Sequence, residues 1–391
     1  MSTASAFYPP ARLLLGPGPC NVEPRVLQAM TGQMIGYFDP ALNTLIGEIH
    51  RLLTLVFGTA NQVTLPISGT GTAGMEAAAC NLVAPGDAAV VGVNGYFGDR
   101  IAQIVERCGG RAVRVEAEWG RPILLEQVEA AFRSTPEARL LAVVHAETST
   151  GVLQPLEGLR RIADRHGALL LVDAVTSLGG HPVEVDRHGV DACYSGTQKA
   201  LSAPPGLAPI TLSPRALERI RQRRSGVQSF YLDVPLFAQY WETQQVYHHT
   251  PPLSFYYGLL EALRIVAEEG LETRYARHRH NHQALVAGLE AMGLAMHVEA
   301  AHRLWTLNVV RIPAGVDDGK VRGRLVQEFG IEIGGGLGSL KGKVWRIGLM
   351  GLNSNPQSVL LLLAALERIL PAEGYRCGSG IGAANAVYAR G

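Results

Sequence analysis

The sequence lacks several features that would direct a chain to a membrane, to nucleic acid or to an oxidising compartment. It has no run of 18 apolar residues, so we expect no membrane span or membrane partner. Its five cysteines form no CxxC pair and are widely spaced, which favours a reducing, cytoplasmic location. The formal net charge is only +1, so we expect no nucleic-acid partner. The first residues lack a positive segment followed by a long apolar stretch, so we expect no secretory signal.

The composition that is present suits a large folded protein. The chain has 391 residues, of which 47% are hydrophobic and 18% charged, and this length favours two domains. Between about residues 60 and 215, short apolar runs alternate with amphipathic stretches. The runs predict strands at 63–67, 88–93, 111–115, 140–145, 168–172 and 191–195. The stretches predict helices at 73–83, 99–108, 125–133 and 156–165. Apolar runs without alternation are typical of strands buried on both faces, so we predict an α/β fold with a mostly parallel sheet.

The pattern also predicts how the chain divides. We expect an N-terminal arm at 1–20, a large domain at 21–257, a smaller α+β domain at 258–370 and a tail at 371–391. The small domain is predicted to begin with one long helix, roughly 258–288, and to include helices near 320–329 and 356–370. The tail is rich in glycine and alanine, so we expect it to lie outside the core.

Three histidines in the long helix, His278, His280 and His282, have a spacing that could suggest a metal site. Arg277 and Arg279 lie among them and would repel a cation. We therefore predict a solvent-exposed helix there and no metal site.

The first group of chemically informative residues follows the strand at 63–67. Ser68-Gly69-Thr70-Gly71-Thr72 has small residues and hydroxyls at the start of a helix, a pattern typical of a phosphate cradle. An ordinary helix N-cap with a glycine turn explains it equally well. The segment also matches the dinucleotide fingerprint GxGxxG, which keeps a nicotinamide oxidoreductase as an alternative of a different class. That fingerprint needs an acid at the end of the next strand, which here ends in Asn94-Gly95.

Two further strand ends carry unusual residues. Asp173 follows five apolar residues, and a carboxylate in that position needs a partner such as a helix cap, a metal or a cofactor cation. Lys199 lies between a small polar turn at 195–198 and an Ala-Pro-Pro-Gly segment at 203–206. For Lys199 alone, a solvated loop lysine is the ordinary explanation. A turn at 147–151 adds three hydroxyls after the strand at 140–145.

The combination points to pyridoxal 5′-phosphate (PLP). This cofactor needs an amine, an acid on its ring nitrogen and donors for its phosphate, and all three fall at the carboxyl ends of predicted parallel strands. Lys199 is the candidate amine and Asp173 the candidate acid. Once displaced by substrate, Lys199 would be free to carry the proton removed from the substrate Cα.

The sequence resembles the class V aminotransferases, specifically the alanine–glyoxylate and serine–pyruvate (serine–glyoxylate) group. The resemblance extends from Leu15-Gly-Pro-Gly-Pro19 to at least Asn355, and its most specific stretch is LLLVDAVTSLGG…DACYSGTQKALSAPPG. The segments FYLDV, YHHTPP, EIGGGLG and RIGLMG also match in order. The resemblance implies a PLP-dependent transferase of fold type I, with a large cofactor domain and a smaller C-terminal domain.

The resemblance also implies roles for individual residues around the cofactor ring. Lys199 would form the Schiff base and Asp173 would pair with the ring nitrogen. Val175 would pack beneath the ring and Phe97 would stack on its other face, where many relatives place tryptophan. Thr148 would hydrogen-bond the ring hydroxyl.

The remaining implied residues bind the phosphate and the substrate. The phosphate would be held by Thr70, Gly71, Thr72 and Gln198. Tyr247 and Thr250 would reach the phosphate of the other subunit in a homodimer with shared active sites. Arg346 would bind the substrate carboxylate, with a compact pocket near Pro17 and Gly18.

The implied reaction is transamination between a small amino acid, alanine or serine, and a 2-oxo acid, glyoxylate or pyruvate. Within the same chemistry, 2-aminoethylphosphonate or pyridoxamine with pyruvate, or a PLP lyase, remain alternatives. A cysteine desulfurase is disfavoured because no cysteine occurs between Cys193 and Cys377 to act as its mobile nucleophile. A cofactor-free binding protein is disfavoured by the presence of Lys199 together with Asp173.

Overall fold

The computed structural model describes residues 8–243 and 246–390, without the side chain of residue 243. The strands are β1 (Leu13–Leu14), β2 (Val63–Ser68), β3 (Ala88–Val93), β4 (Arg111–Glu116), β5 (Leu140–Val144), β6 (Ala146–Glu147), β7 (Val152–Leu153), β8 (Leu169–Asp173), β9 (Ala192–Tyr194), β10 (Leu207–Leu212), β11 (Leu307–Arg311), β12 (Ile331–Glu332), β13 (Gly334–Gly335) and β14 (Val344–Gly348). The α-helices are α1 (Pro24–Ala29), α2 (Pro40–Phe57), α3 (Gly71–Leu82), α4 (Tyr96–Arg107), α5 (Leu125–Ser134), α6 (Leu159–Arg165), α7 (Val185–His188), α8 (Pro214–Arg221), α9 (Val234–Thr243), α10 (Leu253–Glu269), α11 (Leu271–Ala291), α12 (Asp318–Phe329), α13 (Pro356–Ala372) and α14 (Gly380–Tyr388).

The central sheet has the strand order β2-β10-β9-β8-β5-β3-β4 in the part of the chain described. Neighbouring strands from β9 to β4 are parallel, and β10 is antiparallel to both of its neighbours. The α/β fold with a mostly parallel sheet is thus confirmed. The sequence prediction missed β10, where Pro209 interrupts an apolar run and weighs against a strand. Pro209 lies opposite Pro66 of the edge strand β2.

The strands and helices alternate, so the helices cover a sheet whose inner strands are buried on both faces. Every residue of β3, β5 and β8 is buried, which agrees with their unbroken apolar sequences. Because helices α3 and α4 directly follow strands β2 and β3, their N-termini lie at the carboxyl edge of the sheet. That edge also carries Asp173, the last residue of β8.

A second core forms beyond the sheet. It packs helices α11, α12, α13 and α14 against the antiparallel strands β11-β14-β13. The predicted single helix at 258–288 is wrong, because Gly270, with φ 79°, ends α10 before α11 begins. Leu259, Leu263 and Val266 of α10 pack in the core around the central sheet. The chain therefore passes from that core to the second core near Gly270, further along the chain than the predicted boundary at 257/258.

The C-terminal segment corrects a second expectation. Residues 380–388 form α14, which packs on α11 and α13, with Ala384 fully buried in the second core. Small residues permit this approach, because a Cβ atom at Gly288 would lie 3.1 Å from the carbonyl oxygen of Gly380. Tyr388 donates a hydrogen bond of 2.8 Å to Asn281 of α11. The prediction of a tail outside the core is wrong for this helix.

The prediction of an exposed helix for the three histidines is also wrong for two of them. His278 and His282 are buried. His278 Nε2 accepts a hydrogen bond of 3.0 Å from Gly351 N–H, and His282 Nδ1 lies 2.6 Å from Asn308 Oδ1. Within residues 8–243 and 246–390, no group of three histidine, cysteine or acidic side chains could hold a metal ion.

The N-terminal segment joins the second core before it reaches the sheet. Strand β1 pairs in parallel with β12, and Leu15 is buried among second-core residues. Gly348 N–H donates a hydrogen bond of 2.8 Å to the Leu15 carbonyl. These contacts place residues 16–19 beside Lys199. Among the described helices, none is long and apolar enough to cross a membrane.

Candidate active site

A cavity of about 210 Å³ lies at the carboxyl edge of the central sheet. It brings together most of the residues that the sequence predicts for a cofactor site. These residues are Thr70, Gly71, Thr72, Phe97, Thr148, Asp173, Val175, Gln198 and Lys199. They come from five separate strand–helix or strand–turn junctions, which meet because parallel strands end at the same edge.

Lys199 is buried, with 8% of its surface exposed. Burial and, secondarily, the positive charge of Arg346 lower the pKa of its ammonium group to about 8. Its Nζ donates a hydrogen bond to the carbonyl oxygen of Pro17. Gly18 has φ 105°, and a Cβ atom there would lie 2.6 Å from Lys199 Cδ. The predicted residues Pro17 and Gly18 therefore touch the lysine, and a side chain at position 18 would displace the end of Lys199.

Asp173 is buried at the end of β8, and its carboxylate is held on both oxygens. Oδ1 accepts a hydrogen bond of 2.8 Å from Val175 N–H, and Oδ2 accepts one of 2.7 Å from the Tyr194 hydroxyl. Burial raises the pKa of the carboxyl group to about 6. The sequence prediction missed Tyr194, although it ends the strand next to Asp173 and lies directly opposite it in the sheet.

The N-terminus of α3 forms the other end of the cavity. Thr70 is its N-cap and makes no side-chain capping bond, so the first-turn N–H groups are free of that acceptor. Nearby, the buried Gln198 Oε1 has no hydrogen-bond partner among the described residues. The free N–H groups of a helix N-terminus are donors of the kind that a phosphate requires, and the unpartnered Gln198 oxygen shows that hydrogen bonds remain unmade beside them. With Lys199 and Asp173 in the same cavity, the residues fit PLP.

Glu147 fixes the aromatic wall of the cavity. Its buried carboxylate accepts hydrogen bonds of 3.1 Å from Phe97 N–H and 3.2 Å from Gly98 N–H at the start of α4, and of 2.6 Å from the Ser149 hydroxyl. Burial raises the pKa of Glu147. A Cβ atom at Gly95 would lie 2.4 Å from Glu147 Cδ, so this turn requires glycine. Sequence reasoning treated Glu147 only as part of a turn and missed that it positions Phe97.

Arg346 reaches the site from β14 of the second core. It is 7% exposed, and burial lowers its pKa to about 10. Its guanidinium donates hydrogen bonds of 2.7 Å to the Gly335 carbonyl and 3.2 Å to the Thr148 carbonyl. In the described part of the chain no carboxylate lies within 4.0 Å of it, unlike most of the arginines. It is thus a buried cation with donors available for an anion.

Tyr247 and Thr250 do not line the cavity of their own chain. The Tyr247 side chain is 48% exposed, and its hydroxyl lies 3.0 Å from Thr250 Oγ1. Its ring lies 5.2 Å from the ring of Tyr37. The segment is tied to the end of β2 by His249 Nε2, which lies 2.7 Å from Ser68 Oγ. The structure therefore places this predicted pair near the cradle but on the surface.

Arg100 lines the cavity, and no prediction from the sequence included it. Its guanidinium lies 4.9 Å from the Tyr96 ring centroid and 5.1 Å from that of Phe97. Its Nη1 donates a 3.4 Å hydrogen bond to Thr72 Oγ1. Helical spacing was the available signal, because residues three and four apart share a helix face.

Comparisons with known proteins identify the family of this chain. The family model described as aminotransferase class V matches residues 18–352. The (S)-ureidoglycine–glyoxylate transaminase of Bacillus subtilis (strain 168) is 38% identical, with 99% of this chain and 98% of that protein covered. The alanine–glyoxylate aminotransferase of Callithrix jacchus is 42% identical, with 92% and 88% covered.

A crystal structure of an alanine–glyoxylate aminotransferase from Nostoc sp. superposes with a TM-score of 0.92 at 49% identity, covering 94% of this chain and 97% of that one. Both the sequence matches and the superposition span nearly the whole chain. The chain therefore belongs to the class V aminotransferases, which are PLP-dependent transaminases.

Proposed function

We propose that the protein transfers an amino group from a small amino acid, alanine or serine, to glyoxylate or pyruvate. The observation that carries this proposal is Arg346, a buried guanidinium that has no carboxylate partner among the described residues and whose charge acts on Lys199. A planar guanidinium binds a carboxylate through two parallel, charge-assisted hydrogen bonds. Such a bond would fix the substrate Cα relative to Lys199 Nζ. The names of the relatives, which include alanine and glyoxylate, support the same substrates.

The confined space around Lys199 supports a small substrate. Pro17 and Gly18 lie against the lysine, and the whole cavity measures about 210 Å³. The cofactor itself would occupy much of that volume. The remaining space suits alanine, serine, glycine and glyoxylate better than donors with long side chains.

The chain's own residues supply the proton chemistry. Bound PLP would supply an electron sink for the pair left when the substrate Cα–H bond breaks. The Asp173 carboxylate would hold a proton on the ring nitrogen, since Val175 and Tyr194 orient both of its oxygens. Lys199 Nζ, whose pKa is about 8, would take the Cα proton in its neutral form. Phe97 and Val175 would hold the ring between them.

We also propose that the active unit is a homodimer in which each site is completed by the other chain. Large apolar side chains are exposed around the Tyr247 segment, and an exposed patch of this kind supports an interface. They are Tyr37, Phe38, Phe230, Tyr231, Val246 and Tyr247. The hydroxyls of Tyr247 and Thr250 would then reach the phosphate in the other subunit. The near-neutral charge of the chain favours a protein partner over nucleic acid. The five free cysteines favour a cytoplasmic location.

The nicotinamide alternative loses its support. The residue that follows strand β3 is Asn94, not an acid that could hold a ribose. The Asn94 amide donates a hydrogen bond of 3.2 Å to the Arg121 carbonyl. Membership of the aminotransferase family excludes it independently.

A panel of amino donors against glyoxylate and pyruvate tests the proposed reaction. We expect alanine and serine to be turned over best, with 2-aminoethylphosphonate and pyridoxamine poor because they lack an α-carboxylate for Arg346. (S)-Ureidoglycine belongs in the panel because one relative is named for it. Preference for a donor without an α-carboxylate would overturn the proposal in favour of those alternatives.

A further inference from the structure

Arg100 is the charged residue of α4 that lines the cavity. It is half-buried at the cavity wall, and no acidic side chain lies within 4.0 Å of it in the described ranges. Its neighbour Asp99 instead pairs with Arg114 at 3.1 Å, and Arg114 also pairs with Glu106. An arginine that faces a cavity while the nearby acids are paired elsewhere has its charge available for a ligand.

The position of the guanidinium is defined by two contacts. It packs over the rings of Tyr96 and Phe97, which favours a fixed orientation through cation–π attraction. Its Nη1 reaches Thr72 Oγ1 at 3.4 Å, a long hydrogen bond that a stronger acceptor would replace. Thr72 lies in the first turn of α3, so the charge of Arg100 lies at the phosphate end of the cavity.

A phosphate bound at that end of the cavity would need a positive charge to balance its own. A phosphate monoester carries about −1.5 to −2 charges near neutral pH, and a helix N-terminus contributes roughly +0.5. Thr70, Thr72 and Gln198 supply hydrogen bonds without charge. Of the cations lining the cavity, Lys199 is already hydrogen-bonded to the Pro17 carbonyl. Arg100 is the other cation there.

We propose that Arg100 is the cationic ligand of the cofactor phosphate, and that it exchanges its long bond to Thr72 for a charge-assisted bond to a phosphate oxygen. This inference rests on the proposed use of the cavity for PLP. It adds a phosphate-binding residue to the hydroxyl, amide and backbone donors that the sequence predicts. It also explains why the stacking residue Phe97 and a cation share one face of α4.

Removing the phosphate from the ligand separates this role from a packing role. The dissociation constants of PLP and of pyridoxal, which lacks the phosphate, are measured on the cofactor-free protein by visible absorbance. Arg100→Met should weaken PLP binding by about 10- to 100-fold, as the loss of one charge-assisted bond implies, while pyridoxal changes by less than about twofold. Arg100→Lys should retain much of the PLP affinity. The control Arg107→Met alters an exposed residue of the same helix and should change neither constant.

Each contrary result identifies a different error. Equal weakening of PLP and pyridoxal would mean that Arg100 acts by packing on Phe97, and the proposal would be wrong. Unchanged affinities, with activity lost only for donors that carry a second anionic group, would assign Arg100 to the substrate instead. Wild-type protein that binds neither ligand would overturn the proposed function itself, which distinguishes that failure from failure of the Arg100 assignment.

Discussion

Two groups of predicted cofactor residues have opposite environments in this protein. Lys199 and Asp173 are buried at strand ends, and their polar atoms bond to groups of the same chain. Tyr247 and Thr250 are exposed and hydrogen-bonded to each other beside an aromatic surface. Under the proposed function, one chain would preorganise the ring end of the site, whereas the exposed pair would act only after another subunit covers it.

The physical cause lies in how each group is positioned. Parallel strands bring their carboxyl ends together through backbone hydrogen bonds, so the sheet places Asp173 at the end of β8 beside the connection after β9 that carries Lys199. The segment at 246–250 lies outside the sheet and is held by His249, which contacts Ser68. Loops of this kind present side chains to partners without fixing them.

The largest expected effect is loss of Lys199. Lys199→Ala should abolish fixation of the cofactor by borohydride and lower turnover by on the order of 10³-fold or more, because the covalent anchor and the proton carrier disappear together. The control Lys320→Ala changes an exposed lysine of α12 and should behave as wild type. Peptide mapping of reduced wild-type protein should locate the adduct on Lys199. An adduct elsewhere, or a colourless protein that added PLP does not activate, contradicts the assignment.

Mixing inactive variants tests whether the exposed group serves the other chain. Lys199→Ala is combined with the double variant Tyr247→Phe/Thr250→Ala. In a mixed dimer with shared sites, one site carries both lesions and the other carries none. Activity should return to roughly a quarter of the wild-type level after random exchange. Failure to recover activity, with subunit exchange shown by differently tagged chains, would refute the sharing of sites between subunits.

Arg346 provides the next largest effect. Arg346→Lys keeps the charge but loses the planar fork. The transition-state stabilisation calculated from kcat/KM for alanine should therefore fall by on the order of 1.5–3 kcal/mol. PLP affinity should stay nearly constant, since Arg346 is assigned to the substrate. Arg311→Lys, on the adjacent strand but exposed, is the matched control. Unchanged turnover of alanine and serine in Arg346→Lys would remove Arg346 from the substrate site.

The smallest effect concerns the cost of burying Asp173 without its cofactor. The pKa of this carboxyl group rises from 3.8 to about 6 on folding. Folding therefore favours the neutral carboxyl group. This contribution to the free energy of unfolding is fully present below the pKa of the unfolded state and is lost as the pH rises through about 6. At pH 8, cofactor-free Asp173→Asn should be more stable than wild type by on the order of 1–3 kcal/mol.

Denaturant unfolding of cofactor-free protein across pH measures this difference. The advantage of Asp173→Asn should shrink as the pH falls below the folded-state pKa. Stabilisation by added PLP should be smaller in the variant, because a neutral amide no longer favours the protonated ring nitrogen. A stability difference that does not vary with pH would show that the carboxylate is not ionised at a cost in the cofactor-free protein.

Some elements of the fold could be predicted from local sequence, and others could not. The unbroken apolar runs of β3, β5 and β8 identify buried parallel strands without further information. Strand β10 was missed because a proline in a run argues against a strand, and only its position opposite Pro66 makes that proline acceptable. Helix α14 was missed because a stretch rich in glycine and alanine has no strong apolar pattern. Its burial depends on the small residues of α11 that it meets.

The sequence by itself determined the α/β fold and the chemical types that end its strands: a lysine, an acid and a small hydroxyl-rich turn. Residue type and strand periodicity are local properties, so they can be read from adjacent residues. Only the tertiary structure decided that Tyr194 holds Asp173, that Glu147 positions Phe97 and that Arg100 faces the α3 N-terminus. Those contacts depend on strand register and on the packing of one helix beside another, which join residues far apart in the chain.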